Sequence, residues 1–162
     1  MNTRDCYRIV VGVDGSPAGS RALQWAVREA AAHGGAVTAV TAWNWDGIDP
    51  TVIPDADAEQ GRAEELLGEA ISEARAAEPC VPVAGVATAG RPGPVLIEHS
   101  RDASLLVLGS HGHGRLFHAV LGSVAEECVR GAGCPVVVLP APRRERPAPV
   151  SSTAVRRPGS VL

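Results

Sequence analysis

The stretch that decides the fold is LLVLGSHGHGRLFHAVLGSV, residues 105–124. Its first four residues, Leu105–Leu108, are all apolar and predict a fully buried strand. Gly109, Gly112 and Gly114 follow, and helical character resumes at the end of the stretch. Glycines permit a positive φ and let backbone N–H groups approach a ligand, while the N-terminus of a helix carries partial positive charge. The stretch therefore predicts a strand, a glycine-rich loop and a helix that together suit an anion such as phosphate.

Strands and helices alternate along the rest of the chain. Apolar runs rich in β-branched residues predict strands, and apolar residues at spacings of three and four predict helices. Ser16 and Ser123 are placed to cap the first and last helices, the latter in a capping box with Glu126. The predicted strands are 7–14, 36–42, 81–88, 105–108 and 135–139, and the predicted helices lie near 17–33, 63–77, 94–99 and 123–130. This alternation predicts a parallel sheet with helices on both faces, and Pro82 places the third strand at its edge.

The spacing of the glycines is more informative than their number. Gly109 is followed after two residues by Gly112, and after nine more by the pair Gly122-Ser123. A Val-x-Gly-Ser segment precedes the loop, and a Cys-Pro-Val-Val-Val strand follows the last helix. Over about residues 7–140 the chain resembles the universal stress protein family, in the branch that binds ATP. The resemblance implies a Rossmann-like α/β fold, an open sheet of five parallel strands in the order 3-2-1-4-5 with helices on both faces.

That strand order also predicts where a ligand binds. Strands one and four are neighbours whose crossovers leave to opposite sides, so a crevice opens outside their carboxyl ends. Asp14 and Gly109 follow these two strands and are expected to share one ligand. The resemblance implies that loop amides and the Ser123 hydroxyl bind a triphosphate, that Asp14 lies near ribose and phosphates, and that the backbone of Ala42 reads adenine. The nucleotide-binding residues expected in this way are Gly12, Asp14, Ala42, Gly109, Ser110, His111, Gly112, His113, Gly114, Arg115, Gly122, Ser123 and Val124.

Residue chemistry limits what this site can do. All 15 basic residues are arginine, which excludes a Walker-type lysine and Schiff-base chemistry, so Arg115 is the obvious loop cation. A carboxylate beside phosphates implies Mg²⁺ bound through the nucleotide, without a metal site made by protein ligands alone. Simpler interpretations stay open: the glycines and Ser123 also fit a turn and a helix cap, and Asp14 fits a turn residue. For His111 and His113 we favour an exposed loop over half of a metal site.

Length and charge predict one domain, residues 1–140, followed by a disordered tail, residues 141–162. The tail has five arginines and one glutamate, which give it a formal charge of +4. Because the whole chain has a net charge of −3, the domain carries −7. An acidic domain argues against nucleic-acid binding. The tail's basic pairs also suit an acidic surface, but a solvated tail is the simpler interpretation.

The sequence predicts no membrane association and a cytoplasmic protein. No apolar run reaches the roughly 18 residues of a membrane span, and the N-terminus lacks the apolar stretch of a signal peptide. Cys6, Cys80, Cys128 and Cys134 form no Cys-x-x-Cys pair, so we expect four buried small apolar residues instead of a zinc or redox site.

The expected function is that of an ATP-binding, nucleotide-responsive stress regulator. The predicted pocket has no evident general base, so at most slow ATP hydrolysis is expected and no catalytic residue is assigned. The apolar Val136–Val138 run predicts a homodimer paired through strand five. Two alternatives stay open: a slow ATPase or phosphotransferase, and a binding module for another adenine nucleotide such as cAMP.

Overall fold

The computed structural model describes residues 6–43, 55–111 and 121–140. In these ranges five strands alternate with four helices. The strands are β1 (Arg8–Gly12), β2 (Ala36–Trp43), β3 (Val83–Ala89), β4 (Leu105–Gly109) and β5 (Val136–Leu139), and the helices are α1 (Pro17–His33), α2 (Ala56–Ala77), α3 (Pro92–His99) and α4 (Ser123–Gly131). The predicted tail and four predicted loop residues, Gly112, His113, Gly114 and Arg115, lie outside the described residues.

The described strands form one parallel sheet in the order β3-β2-β1-β4-β5, which confirms the predicted fold. β1 lies in the centre, where Val11 pairs with Ala39 of β2 and Val107 of β4. α1 and α2 cover the face that buries Ile9 and Val11, and α3 and α4 cover the opposite face. Because both faces are covered, the central strands are apolar at nearly every position.

Small residues let α1 pack closely on the sheet. Alanines at every fourth position, Ala18, Ala22, Ala26 and Ala30, are buried along one stripe of the helix. Residues four apart lie on the same helical face, so this stripe brings the helix backbone near the strands. A chain with only 3% aromatic residues fills its core in this way.

The limits of α1 follow the sequence prediction. Ser16 is the N-cap, where its hydroxyl accepts a hydrogen bond of 3.1 Å from the Gly19 N–H, and Pro17 occupies the first helical position. The helix ends at Gly34, which adopts a left-handed conformation with φ of 62°. A serine cap and a glycine stop are the local signals that mark helix limits most clearly.

Two helix starts differ from the prediction. α2 begins at Ala56, earlier than its apolar period, because the Asp55 carboxylate caps it by accepting from the Ala58 N–H at 3.2 Å. α3 begins at Pro92, since proline is favoured in a first turn.

The capping box predicted for α4 is wrong. Gly122 takes the N-cap position with φ of −62° and ψ of 153°, and no side chain caps the helix. Ser123 is therefore the first helical residue. The Glu126 side chain pairs with Arg130 at 2.5 Å instead of reaching back to the helix start.

The cysteine prediction holds only in part. Cys128 is buried and Cys134 partly buried, but Cys6 and Cys80 are exposed, because neither lies on a face that packs against the sheet. Burial, with a smaller contribution from Glu127, raises the pKa of the Cys128 thiol to about 11. That thiol stays protonated at neutral pH, which makes it a packing residue and a poor nucleophile.

The fold makes one direct prediction at Gly109, the last residue of β4. A Cβ built there would lie 2.8 Å from the Cβ of Ala18, so Gly109→Ala must push β4 and α1 apart. We expect a loss of about 1–3 kcal/mol in the free energy of unfolding, measured in denaturant. Gly133→Ala is the matched control, because no atom lies within 4 Å of its Cβ position, and it should change stability by less than about 0.5 kcal/mol. Equal stability of the two variants would contradict the close approach.

Candidate functional site

A cleft opens where the strand order reverses, outside the carboxyl ends of β1 and β4. It contains about 550 Å³ not occupied by protein atoms, part of which is open to solvent. The described residues that line the cleft are Gly12, Val13, Asp14, Ser16, Gly19, Val40, Ala42, Pro92, Leu96, Leu108, Gly109, His111, Val124 and Ala125.

Six residues that the sequence singled out line this cleft together. They come from β1 and its following loop, from the end of β2, from the end of β4 and from the start of α4: Gly12, Asp14, Ala42, Gly109, His111 and Val124. Ser110 and Gly122 hold the two ends of the glycine loop together, because the Gly122 N–H donates to the Ser110 carbonyl at 2.9 Å. Ser123 lines a neighbouring groove between α3 and α4 instead.

The Asp14 carboxylate is fixed by the first turn of α1. Its Oδ1 accepts hydrogen bonds from the Ser16 N–H at 2.9 Å and from the Ser16 hydroxyl at 2.5 Å. The same hydroxyl oxygen accepts from the Gly19 N–H, so Ser16 joins the carboxylate to the helix start. Asp14 is thus a turn residue and a cleft-lining residue at once. Ser16 was predicted only as a cap, and its bond to Asp14 follows from the local Asx-type turn.

Close packing, not positive φ, explains the loop glycines of the described segments. The glycines with positive φ in these segments are Gly15, Gly34 and Gly90, which excludes Gly109 and Gly122. A Cβ at Gly122 would lie 2.9 Å from the Ser110 carbonyl oxygen, and one at Gly109 would meet the α1 backbone. Gly109 therefore does not use the positive φ that glycine permits, and both Gly109 and Gly122 lie where two backbones approach.

Three helix starts meet at the cleft. Residues of the first turn of α1, α3 and α4 line it, because in a parallel sheet every helix begins on the side where the strands end. α4 has no side-chain cap, so the N–H groups of Ser123, Val124 and Ala125 have no acceptor inside the helix. Uncapped N–H groups and aligned peptide dipoles give this end of the cleft an affinity for anions.

His111 is more buried than the sequence suggested. It lies partly buried in the cleft wall, and its Nδ1 is 2.9 Å from the Ser110 hydroxyl oxygen. Its Nε2 is buried and has no hydrogen-bond partner among the described residues. The expectation of an exposed histidine is therefore wrong for His111, because its ring packs in the cleft wall beside the Ser110 hydroxyl.

An apolar wall completes the cleft. Val40, Leu96, Leu108 and Ala125 contribute it, and the sequence analysis assigned none of them to the site. Val40 and Leu108 are buried on the same face of the sheet, so alternation along the strands could have located them. Asp14 and His111 are the titratable side chains among the described lining residues, and they form no paired nucleophile and base.

The described residues contain no group of three or more histidine, cysteine or acidic side chains arranged to hold a metal ion. None of the described helices combines the length and the apolar character needed to cross a membrane.

Two proteins of Mycobacterium tuberculosis are similar to this chain in sequence. The universal stress proteins Rv2005c and Rv2624c are 37% and 39% identical to it over 132 and 133 residues. The alignments cover 80% and 81% of this chain, but 44% and 47% of the relatives. The chain thus spans about half the length of the curated relatives it matches.

Two solved structures share the fold. The universal stress protein UspA from Lactobacillus plantarum superposes with a TM-score of 0.71 at 22% identity, covering 82% of this chain and 97% of that one. A universal stress protein in complex with cAMP superposes with a TM-score of 0.66 at 26% identity, covering 85% and 98%. The model of the universal stress protein family matches residues 7–140, the β1–β5 unit that carries the cleft. This chain therefore belongs to the universal stress protein family.

Proposed function

We propose that this chain binds ATP in the cleft between β1 and β4 and acts as a nucleotide-responsive regulator. The observation that carries the proposal is the mixed lining of the cleft, in which apolar side chains, uncapped N–H groups at the start of α4 and His111 border the same space. A nucleotide needs both kinds of surface, apolar for its base and donors for its phosphates. Because the chain spans about half of its relatives, the proposal concerns this domain and not their whole activity.

The phosphate end is proposed to extend into the glycine loop. Gly109, Ser110 and His111 lead from β4 into that loop, and Gly112, His113, Gly114 and Arg115 continue it. In this proposal loop amides and the first turn of α4 bind the phosphates, while Arg115 supplies the charge that other nucleotide sites take from lysine. Gly122 supports this geometry by closing the loop on Ser110.

Mg²⁺ is proposed to arrive with the nucleotide. The described residues offer no complete metal site, but Asp14 places a carboxylate in the cleft beside the start of α1. Mg²⁺ usually binds through one or two carboxylates together with substrate phosphates and water. Asp14 would be the protein ligand, and the phosphates would supply the rest.

A second candidate is a cyclic nucleotide. The solved universal stress protein in complex with cAMP has the same fold as this chain, which is the observation that favours it. ATP is preferred here because three phosphates need several amide donors, and the glycine spacing together with the uncapped start of α4 offers them. An ATPase or phosphotransferase is a weaker candidate, since phosphoryl transfer needs a positioned water or acceptor.

ATP should stabilise the protein. At about 100 times the dissociation constant, binding adds about 2.7 kcal/mol and raises Tm by roughly 5 to 10 °C, which a thermal melt measures. The phosphate chain is proposed to extend from the cleft past the start of α4 to the groove that Ser123 lines, so Ser123→Ala should shrink that rise. Its own effect on stability should stay within about 0.5 kcal/mol, since Ser123 is not the helix cap. Ser72→Ala, at an exposed position on α2, is the matched control and should leave the rise unchanged.

The same melts separate the candidates. No rise with millimolar ATP contradicts the ATP proposal, and a larger rise with cAMP than with ATP replaces it by the second candidate. Turnover in the range of ordinary kinases, about 1–100 s⁻¹, and its loss in Asp14→Asn would establish an enzyme instead.

We also propose a homodimer paired through β5. β5 is one of the two edge strands of the described sheet, and its four residues Val136–Leu139 are apolar and only partly buried. The Leu106 N–H donates to the Pro135 carbonyl, and the Ser110 N–H donates to the Leu139 carbonyl. These two bonds show which residues of β5 direct their backbone groups toward β4 and which direct them away from it. In a parallel ladder with this register the N–H of Val138 points away from β4, toward any second strand.

Val138→Pro should therefore give a monomer in sedimentation while its thermal melt stays close to that of the original chain, because it removes an outward donor only. Val137→Pro is the comparison: it removes a donor to β4 and should lower Tm. A dimer that survives Val138→Pro, or a chain that is already monomeric, contradicts the proposed pairing.

Residues 141–162 are proposed to be a tail separate from the domain. The Arg21 side chain donates to the Pro140 carbonyl at 3.2 Å, so the described domain extends to that residue. Ending the chain after Pro140 should leave both Tm and nucleotide affinity unchanged. A loss of more than about 1 kcal/mol in stability would show instead that the tail packs on the domain.

A further inference from the structure

The hydrogen-bond ladder between β1 and β2 stops at the edge of the cleft. It starts where the Ala36 N–H donates to the Tyr7 carbonyl at 2.9 Å, and it still includes the bond from the Val13 N–H to the Val40 carbonyl at 2.9 Å. With this register, the next bond of a parallel ladder would run from the Ala42 N–H to the Val13 carbonyl. No backbone hydrogen bond of the described residues joins these two groups.

A side chain takes the place of the missing bond. The Thr41 hydroxyl donates to the Val13 carbonyl at 2.8 Å, and Thr41 is buried, with 6% of its surface exposed. A buried carbonyl needs a hydrogen-bond donor, and the hydroxyl supplies one. The carbonyl is thereby satisfied without the Ala42 N–H.

The consequence falls on Ala42, which lines the cleft together with Val13 and Val40. Its N–H is directed toward the β1 side of β2, where the ladder has ended, and the described residues offer it no backbone acceptor there. A donor in this position can pair with a ring nitrogen of a heteroaromatic base.

We propose that Thr41 is a positioning residue, whose hydroxyl ends the β1–β2 ladder one bond early and so keeps the Ala42 N–H available to a base in the cleft. The identity of the ligand rests on the proposed function, but the change in the ladder does not. If Thr41 were only a strand-forming residue, valine would replace it without moving any hydrogen bond.

Thr41→Val removes the hydroxyl and keeps the shape of the side chain. The Val13 carbonyl then lacks a donor, and the Ala42 N–H is the group that the ladder register assigns to it. Thr41→Ser keeps the hydroxyl and should behave like the original chain. Thr38→Val is the matched control, because Thr38 also lies on β2 but points to the opposite face and does not line the cleft.

Hydrogen exchange of the Ala42 amide, measured by NMR without ligand, tests the ladder directly. Thr41→Val should slow this exchange by about tenfold or more, the size expected for one added backbone hydrogen bond, while Thr41→Ser and Thr38→Val leave it unchanged. An Ala42 amide that already exchanges slowly in the original chain, or that does not respond to Thr41→Val, overturns the proposal. Thr41→Ala serves as a second variant if the valine variant fails to fold in a thermal melt.

Binding of adenosine and of inorganic tripolyphosphate tests the role in recognition. Thr41→Val should weaken adenosine binding by about tenfold and change tripolyphosphate binding by less than about twofold, because only the base contact is lost. Thr41→Ser should restore adenosine binding. Equal losses for both probes overturn the positioning role. If the original chain binds neither probe, the proposed function fails, while the exchange result still decides what Thr41 does to the ladder.

Discussion

The close approach between the end of β4 and the first turn of α1 is the constraint on which the rest of the site depends. Neither Gly109 nor Gly19 has room for a Cβ, because one would meet Ala18 and the other the Asp14 carboxylate. This approach places the loop after β1 and the loop after β4 side by side. The cleft, the position of Asp14 and the direction in which the glycine loop leaves β4 all follow from it.

The chemistry of the cleft is a consequence of topology more than of charged side chains. In a parallel sheet the helices begin where the strands end, so the starts of α1, α3 and α4 meet at one edge. The uncapped N–H groups of α4 and the aligned helix dipoles favour an anion at this edge without any lysine, of which this chain has none. This local preference does not depend on the net charge of the domain, which is negative.

Near the cleft, two side-chain hydroxyl groups make hydrogen bonds that backbone groups make elsewhere in the fold. Ser16 is almost fully buried, and it links the Asp14 carboxylate to the Gly19 N–H. Thr41 satisfies the Val13 carbonyl in place of a ladder bond. In both cases a short side chain ends a regular pattern at a defined residue. The backbone beyond that residue then lines the cleft instead of continuing the sheet or the helix.

The sequence by itself determined the order of strands and helices along the chain, because this order depends on local periodicity and on turn residues. The family resemblance carried by the glycine spacing supplied the strand order of the sheet and six of the residues that line the cleft. Helix caps depend on single residues that periodicity does not record: Asp55 caps α2 ahead of its apolar period, and Gly122 takes the N-cap position of α4 in place of Ser123. Only the tertiary structure decided why Gly109 must be glycine, that His111 is partly buried, and that Val40 and Leu96 form the apolar wall. Each of these depends on contacts between segments far apart in the chain, such as β4 against α1 and α3 against β2, and no local pattern in the sequence records such distances.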